Sequence, residues 1–151
     1  MRVVIQRVSE ASVTIDGKKV AEIRKGLLVL LGITDADTQE DIDYLVRKTA
    51  NLRIFNDENQ VMNLSLKDVN ADAIVVSQFT LFANVKKGNR PSYINASKPN
   101  IAIPLYEKFV ANLELEIQKE IQTGRFGADM KVCLLNDGPV TIIIDSKNRD
   151  F

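Results

Sequence analysis

The segment Gly26-Leu27-Leu28-Val29-Leu30-Leu31-Gly32 constrains the fold more than any other stretch of the chain. An apolar run that short, closed by a glycine at each end, reads as a strand buried on both faces, with no polar side to offer water. The flanking pattern supplies its neighbours. Val3, Ile5 and Val8 begin one strand run, and Val13 with Ile15 form a second. Asp16-Gly17 is a strong turn signal, followed by Val20, Ala21 and Ile23.

Two helices are expected to cover this sheet. Asp37 is placed to cap the first, with Glu40 three residues on, and Ile42, Leu45, Val46, Thr49 and Leu52 then recur at helical spacing. Asn56–Asn59 is a turn, and Ala73–Phe82 reads as another largely apolar strand. A polar loop runs from Asn84 to Ser97. Pro99 suits the first position of the second helix, where its missing N–H costs nothing. Tyr106, Phe109, Val110, Leu113 and Ile117 form that helix's apolar face. Thr123–Gly127 is a turn, and two final strands, Lys131–Leu135 and Val140–Ile144, flank Asn136-Asp137-Gly138-Pro139. The class is mixed α/β, with a mixed sheet or partly closed barrel and two main covering helices.

With 151 residues, the chain fits one domain, 1–146, followed by the polar tail 147–151. A chain of this length buries roughly 68–70% of its unfolded surface and needs no metal or disulfide to hold a core. It contains no histidine, which excludes Ser-His-Asp and Cys-His machinery, histidine metal ligands and an imidazole base. Cys133 alone forms no intrachain disulfide, is expected in the core of a strand, and fits a reducing compartment. Lys+Arg and Asp+Glu balance at 20 each, which counts against a broad electrostatic footprint on duplex DNA. The opening residues lack the apolar core of a signal peptide, and no apolar run reaches the roughly 18 residues of a membrane span. The expectation is a cytoplasmic protein without membrane, cofactor or metal.

Two segments fit poorly as plain structure. Ser77-Gln78-Phe79-Thr80 places three hydrogen-bonding side chains at the end of an apolar strand. The bland reading lets Ser77 and Thr80 satisfy local backbone while Gln78 faces solvent. The functional one presents two hydroxyls, an amide and backbone N–H groups to a pocket, with the N–H groups as an oxyanion site. Asn136-Asp137-Gly138-Pro139 reads as a hairpin turn with a trans Gly-Pro bond. Functionally, its carbonyls would accept N–H donors from a substrate ammonium. Lys86, Lys87 and Arg90 are either a solvated basic loop or phosphate contacts. Arg7 is an exposed strand residue or a buried donor. Asp35, Asp37, Asp41 and Asp43 favour a helix dipole and are assigned no catalytic role.

Both segments resemble the D-aminoacyl-tRNA deacylase family. So do Met1–Val8, Asn51–Phe55, Lys87–Pro91 and Gly124–Met130, in order over residues 1–146. Val85 and the glycine-free stretch Glu114–Ile121 depart from that pattern. The resemblance implies a homodimer of barrel-like subunits with active sites at the subunit interface. It implies a hydrolase that cleaves the ester between a D-amino acid, or glycine, and the terminal adenosine of tRNA, without a cofactor. It further implies that Ser77, Gln78, Phe79 and Thr80 line the scissile ester. Gly138 and Pro139, as a cis dipeptide, would enter the neighbouring subunit's site and hold the substrate ammonium so that an L side chain collides with the wall. Arg7 would pin that dipeptide, and Phe126, Gly127 and Met130 would line the adenine pocket. Either Thr80 or the tRNA 2′-hydroxyl would drive attack, and the absence of histidine favours the latter. The alternatives are a deacylase for small L-amino acids, a non-catalytic tRNA-end binding module, and a purely structural dimer.

Overall fold

Alternating burial along the first residues builds one long strand. In the computed structural model, which describes residues 1–150, β1 runs from Arg2 to Ile15 without a break. The elements that follow are β2 (Lys18–Ile23), β3 (Gly26–Gly32), α1 (Gln39–Asn51), β4 (Phe55–Asn56) and β5 (Met62–Leu64). After them come β6 (Asp72–Ser77), α2 (Pro99–Ile117), β7 (Gln122–Thr123) and β8 (Lys131–Asp145). Among the described residues, β4 and β5 form a separate two-stranded ribbon, and the other strands make one sheet.

One edge of β1 pairs with β8 from Arg2–Asp145 to Thr14–Lys131. Its other edge pairs with β3 over Arg2–Val8 and with β2 over Ala11–Ile15. β6 and β7 extend the sheet beyond β3 as parallel neighbours. The sheet curls until its far strands meet. Gln122 on β7 accepts the Glu22 N–H at 2.6 Å and donates to the Glu22 carbonyl at 2.7 Å, so one side-chain amide spans the seam to β2. The result is a nearly closed barrel covered by two helices.

β3 is buried on both faces, as its sequence requires. Leu27, Val29 and Leu31 join Val3 and Ile5 beneath Ile42, Leu45, Phe109 and Leu113 of the helices. Leu28 points the other way, into the barrel with Val8, Val13, Ile74 and Val76.

Five local expectations change, the first being that the runs begun by Val3 and by Val13 are the single strand β1. Thr38, not Asp37, caps α1, with Asp41 accepting the Thr38 N–H at 2.8 Å. Asp37 instead pairs with the Met1 ammonium, which also donates to Ser146 Oγ at 2.9 Å. The strand expected to reach Phe82 ends at Ser77 and gives way to a 3-10 turn over Phe79–Phe82. The two expected final strands are one, β8, and Asn136–Pro139 lies inside it where pairing with β1 shifts register near Val8. Cys133 is exposed, because the alternation of β8 places it on the outward face with Lys131 and Leu135. The missing glycine after α2 is replaced by Gln118, which takes the left-handed C-cap conformation at φ 54°.

Candidate active site

The parallel ends of β3 and β6 open onto a cavity of about 270 Å³. Ser77, Gln78 and Phe79 form one wall, where β6 gives way to the 3-10 turn. Phe126, Gly127 and Met130, from the segment between β7 and β8, form another. Leu31, Val76 and Val132 close the apolar floor, while Ser97 and Ala102 line the side nearest the start of α2. Stretches some fifty residues apart in sequence thus meet in one space.

The 3-10 turn has a chemistry of its own. The Gln78 N–H is bound to the Leu31 carbonyl at 2.8 Å, and the first bond within the turn runs from Leu81 N–H to Gln78 O. The amides of Phe79 and Thr80 therefore have no partner inside the turn, as the opening residues of any such turn do not. Gln78 Nε2 donates to Thr80 Oγ1 at 2.5 Å. That leaves the Thr80 hydroxyl proton available as a donor and faces its oxygen with a donor instead of a base. The turn is seated closely on β3. A Cβ on Gly32 would lie 3.0 Å from Leu81 Cβ and 3.1 Å from the Gln78 carbonyl, so a larger residue requires the turn to give by a few tenths of an ångström. Arg2 holds the other side, donating from Nη1 to the Leu81 carbonyl at 2.7 Å while pairing with Asp145 at 2.8 Å.

Behind the cavity, Tyr106 donates its hydroxyl to the Val75 carbonyl at 2.7 Å and meets the edge of Phe126 at 6.0 Å. Burial pushes its phenol well above the ordinary tyrosine range. No three His, Cys, Asp or Glu side chains converge as a metal site among the described residues.

Arg7 is a buried donor, 6% exposed. Its guanidinium donates to the Asp137 carbonyl at 2.9 Å and the Ile54 carbonyl at 2.5 Å. Gly138 rests against it, so a Cβ there would lie 3.0 Å from Arg7 Nη2, and the Gly138–Pro139 peptide is cis. Arg7 thus pins the Asp137–Pro139 segment. It does so away from the cavity. Arg7 pairs with Leu27 and Ser77 with Leu31, a separation of about 13 Å along β3 at strand rise. Thr80, Arg7, Gly138 and Pro139 are not among the residues lining the cavity, and Lys86, Lys87 and Arg90 lie on the exposed 84–97 loop. Sequence reasoning missed Arg2 and Gly32 as parts of the turn's seat; the register opposing them was the signal that could have found them.

Comparisons with known proteins bear on the family and the fold. The chain is 70% identical to the D-aminoacyl-tRNA deacylase of Flavobacterium johnsoniae, covering 99% of this chain and all of that one. The corresponding protein of Christiangramia forsetii is 65% identical, over 99% of both chains. Among solved structures, the c-Myc DNA Unwinding Element Binding Protein superposes with a TM-score of 0.91 at 41% identity, covering 96% of this chain and 98% of that one. A probable eukaryotic D-amino acid tRNA deacylase shares the fold at a TM-score of 0.82 and 18% identity, covering 95% and 97%. The D-Tyr-tRNA(Tyr) deacylase family profile matches residues 4–145, spanning both the Ser77–Thr80 turn and the Gly138–Pro139 segment, and the chain belongs to that family.

Proposed function

We propose that residues 1–146 form a single deacylase domain that hydrolyses the ester between a D-amino acid, or glycine, and the terminal adenosine of tRNA in the cytoplasm. The observation that carries the reading is the cavity shared by Ser77–Phe79 and Phe126–Met130. The adenosine sits against Phe126, Gly127 and Met130. The ester carbonyl lies over the turn, where the Phe79 and Thr80 amides stabilise the developing oxyanion. Water attacks the carbonyl carbon, the bond to the ribose 3′-oxygen breaks, and that oxygen takes a proton, releasing amino acid and tRNA. The Thr80 hydroxyl faces an amide donor and no base, which supports a donor role for it, with the ribose 2′-hydroxyl assisting the water.

Gly138 and Pro139 reach the site from a second copy of the chain. Support comes from their distance from Ser77 within one subunit, from an edge of β8 that pairs with no other strand among the described residues, and from the outward apolar side chains Leu135 and Ile143, 57% and 43% exposed. Their carbonyls hold the substrate ammonium, leaving an L side chain no room. Lys86, Lys87 and Arg90 meet tRNA phosphates.

The test is ester loss from D-Tyr-tRNA, Gly-tRNA and L-Tyr-tRNA. The first two are expected to be hydrolysed and the third spared; tight binding without turnover overturns the reading. A dead Thr80→Ala enzyme together with undiminished hydrolysis of a 2′-deoxyadenosine-ended substrate refutes assistance by the ribose. A monomer by sedimentation that is fully active refutes the shared site.

A further inference from the structure

Beside the cavity lies a half-exposed aromatic surface. Phe79 lines the cavity yet is 55% exposed. Tyr93 meets it edge to face, with centroids 5.0 Å apart and planes at 77°, and is itself 41% exposed. An edge contact leaves aromatic faces uncovered, and two large rings half in water mark a place where something else packs. The rings are held ready for it. Asn84 and Ser92 exchange backbone hydrogen bonds at 2.7 and 2.9 Å, and Ser97 N–H is bound to the Ile33 carbonyl at 2.9 Å. The loop bearing Tyr93 is thereby anchored on both sides of that residue, so little ordering remains to be done on binding.

The same loop carries Lys86, Lys87 and Arg90, all exposed and none in an ion pair with another described residue. Cations beside open aromatic faces suit a polyanion whose bases are unpaired. A duplex hides its base faces, and an apolar peptide gives the cations nothing to meet. We propose that the Phe79–Tyr93 pair is a stacking platform for the single-stranded nucleotides preceding the substrate's terminal adenosine, with Lys86, Lys87 and Arg90 along their phosphates. The inference rests on the deacylase reading for what fills the cavity, and adds Tyr93 as a residue that recognises the strand leading into it.

Two measurements separate the inference from that reading. In the first, kcat/KM is compared for D-Tyr-tRNA and for D-Tyr-adenosine, which lacks the preceding nucleotides. Tyr93→Ala is expected to lower the ratio of the two by about 5- to 150-fold, the range set by one lost base-stacking contact. Tyr93→Leu, which keeps apolar bulk without a ring, is expected to behave alike, and Tyr93→Trp to preserve the ratio. In the second, fluorescence anisotropy follows a labelled tetranucleotide RNA ending in adenosine, with weaker binding expected for Tyr93→Ala by a similar factor. An unchanged ratio, or equal losses on both substrates, makes Tyr93 a mere prop for Phe79 and overturns the proposal. If the unmodified enzyme cleaves neither ester, the deacylase reading fails, and the anisotropy still decides whether Tyr93 stacks on RNA; equal affinities would overturn it there too.

Discussion

Replacing Arg7 tests the link between the first strand and the Gly138 segment. The guanidinium is buried and makes two close hydrogen bonds, to the Asp137 and Ile54 carbonyls, with a longer contact to Asn56 Oδ1 at 3.4 Å. A hydrogen bond involving a charged group is worth about 1.5–3 kcal/mol, so the two together bring about 3–6 kcal/mol. Removing the charge also removes its desolvation cost, and the expected net loss for Arg7→Ala is about 2–4 kcal/mol. That is a large share of the roughly 5–15 kcal/mol that holds a typical domain together. Urea unfolding of the two proteins measures it. Arg7→Lys is expected to recover only part of the loss, since one ammonium cannot span carbonyls the planar fork reaches at once. At temperatures where the variant remains folded, deacylation of D-Tyr-tRNA is expected to fall at least ten-fold, because Asp137–Pro139 is no longer pinned. A stability loss under about 1 kcal/mol, or a folded Arg7→Ala protein with full activity, would refute the reasoning.

Other substitutions probe the remaining supports. Gly32→Ala presses on Leu81 and the Gln78 carbonyl and is expected to cost about 1–3 kcal/mol, with a larger proportional loss of kcat than of stability; an unchanged kcat at an unchanged unfolding midpoint would contradict it. Gln122→Ala removes both bonds across the barrel seam, an expected loss of about 1–2 kcal/mol, with faster amide exchange in β2 and β7 as its local signature. The raised Tyr106 phenol gives stability that is complete below the unfolded value of about 10 and declines as pH rises above it. Thermal unfolding is expected to lose that alkaline slope in Tyr106→Phe. For Asp41, burial pushes the carboxyl up, but hydrogen bonds from Lys147 and the Thr38 amide, with the nearby terminal ammonium, hold it well below the ordinary range. Its contribution is present at neutral pH and lost as pH falls below about 4, a loss that Asp41→Asn should diminish.

The sequence-readable part of the fold was local. Apolar alternation located the residues of β1, though as two runs, and those of β2, and glycine punctuation identified the doubly buried β3. Pro99 marked the start of α2 because its fixed φ suits that position. The errors arose where a tertiary partner outweighed local chemistry. Asn136–Pro139 has the composition of a hairpin turn, yet the long β1 runs past it, and Arg7 binds the Asp137 carbonyl that a turn would have bonded itself. Asp37 looked like a helix cap until the Met1 ammonium, far away in sequence, claimed it. Cys133 has the character of a core strand residue, but the face of β8 that carries it is turned outward. In the site, the Ser77–Thr80 hydroxyls and amides were legible as a cluster. Arg2 and Gly32 were not, because their part depends on which strand lies across from them.

Pairing Arg2 with Asp145 also orders events in time. The ribosome releases β1 first, and β2 and β3 follow within a few residues, so that hairpin can form early. The other edge of β1 must wait until β8, more than a hundred residues on, has been made. During that interval it is an unpaired strand edge, open to stray partners. β8 brings Gly138 and Pro139 with it, and its Asp145 braces the arginine behind the 3-10 turn. The strand that braces the 3-10 turn and carries Gly138 therefore reaches β1 only after every element from β2 to β7 has been made.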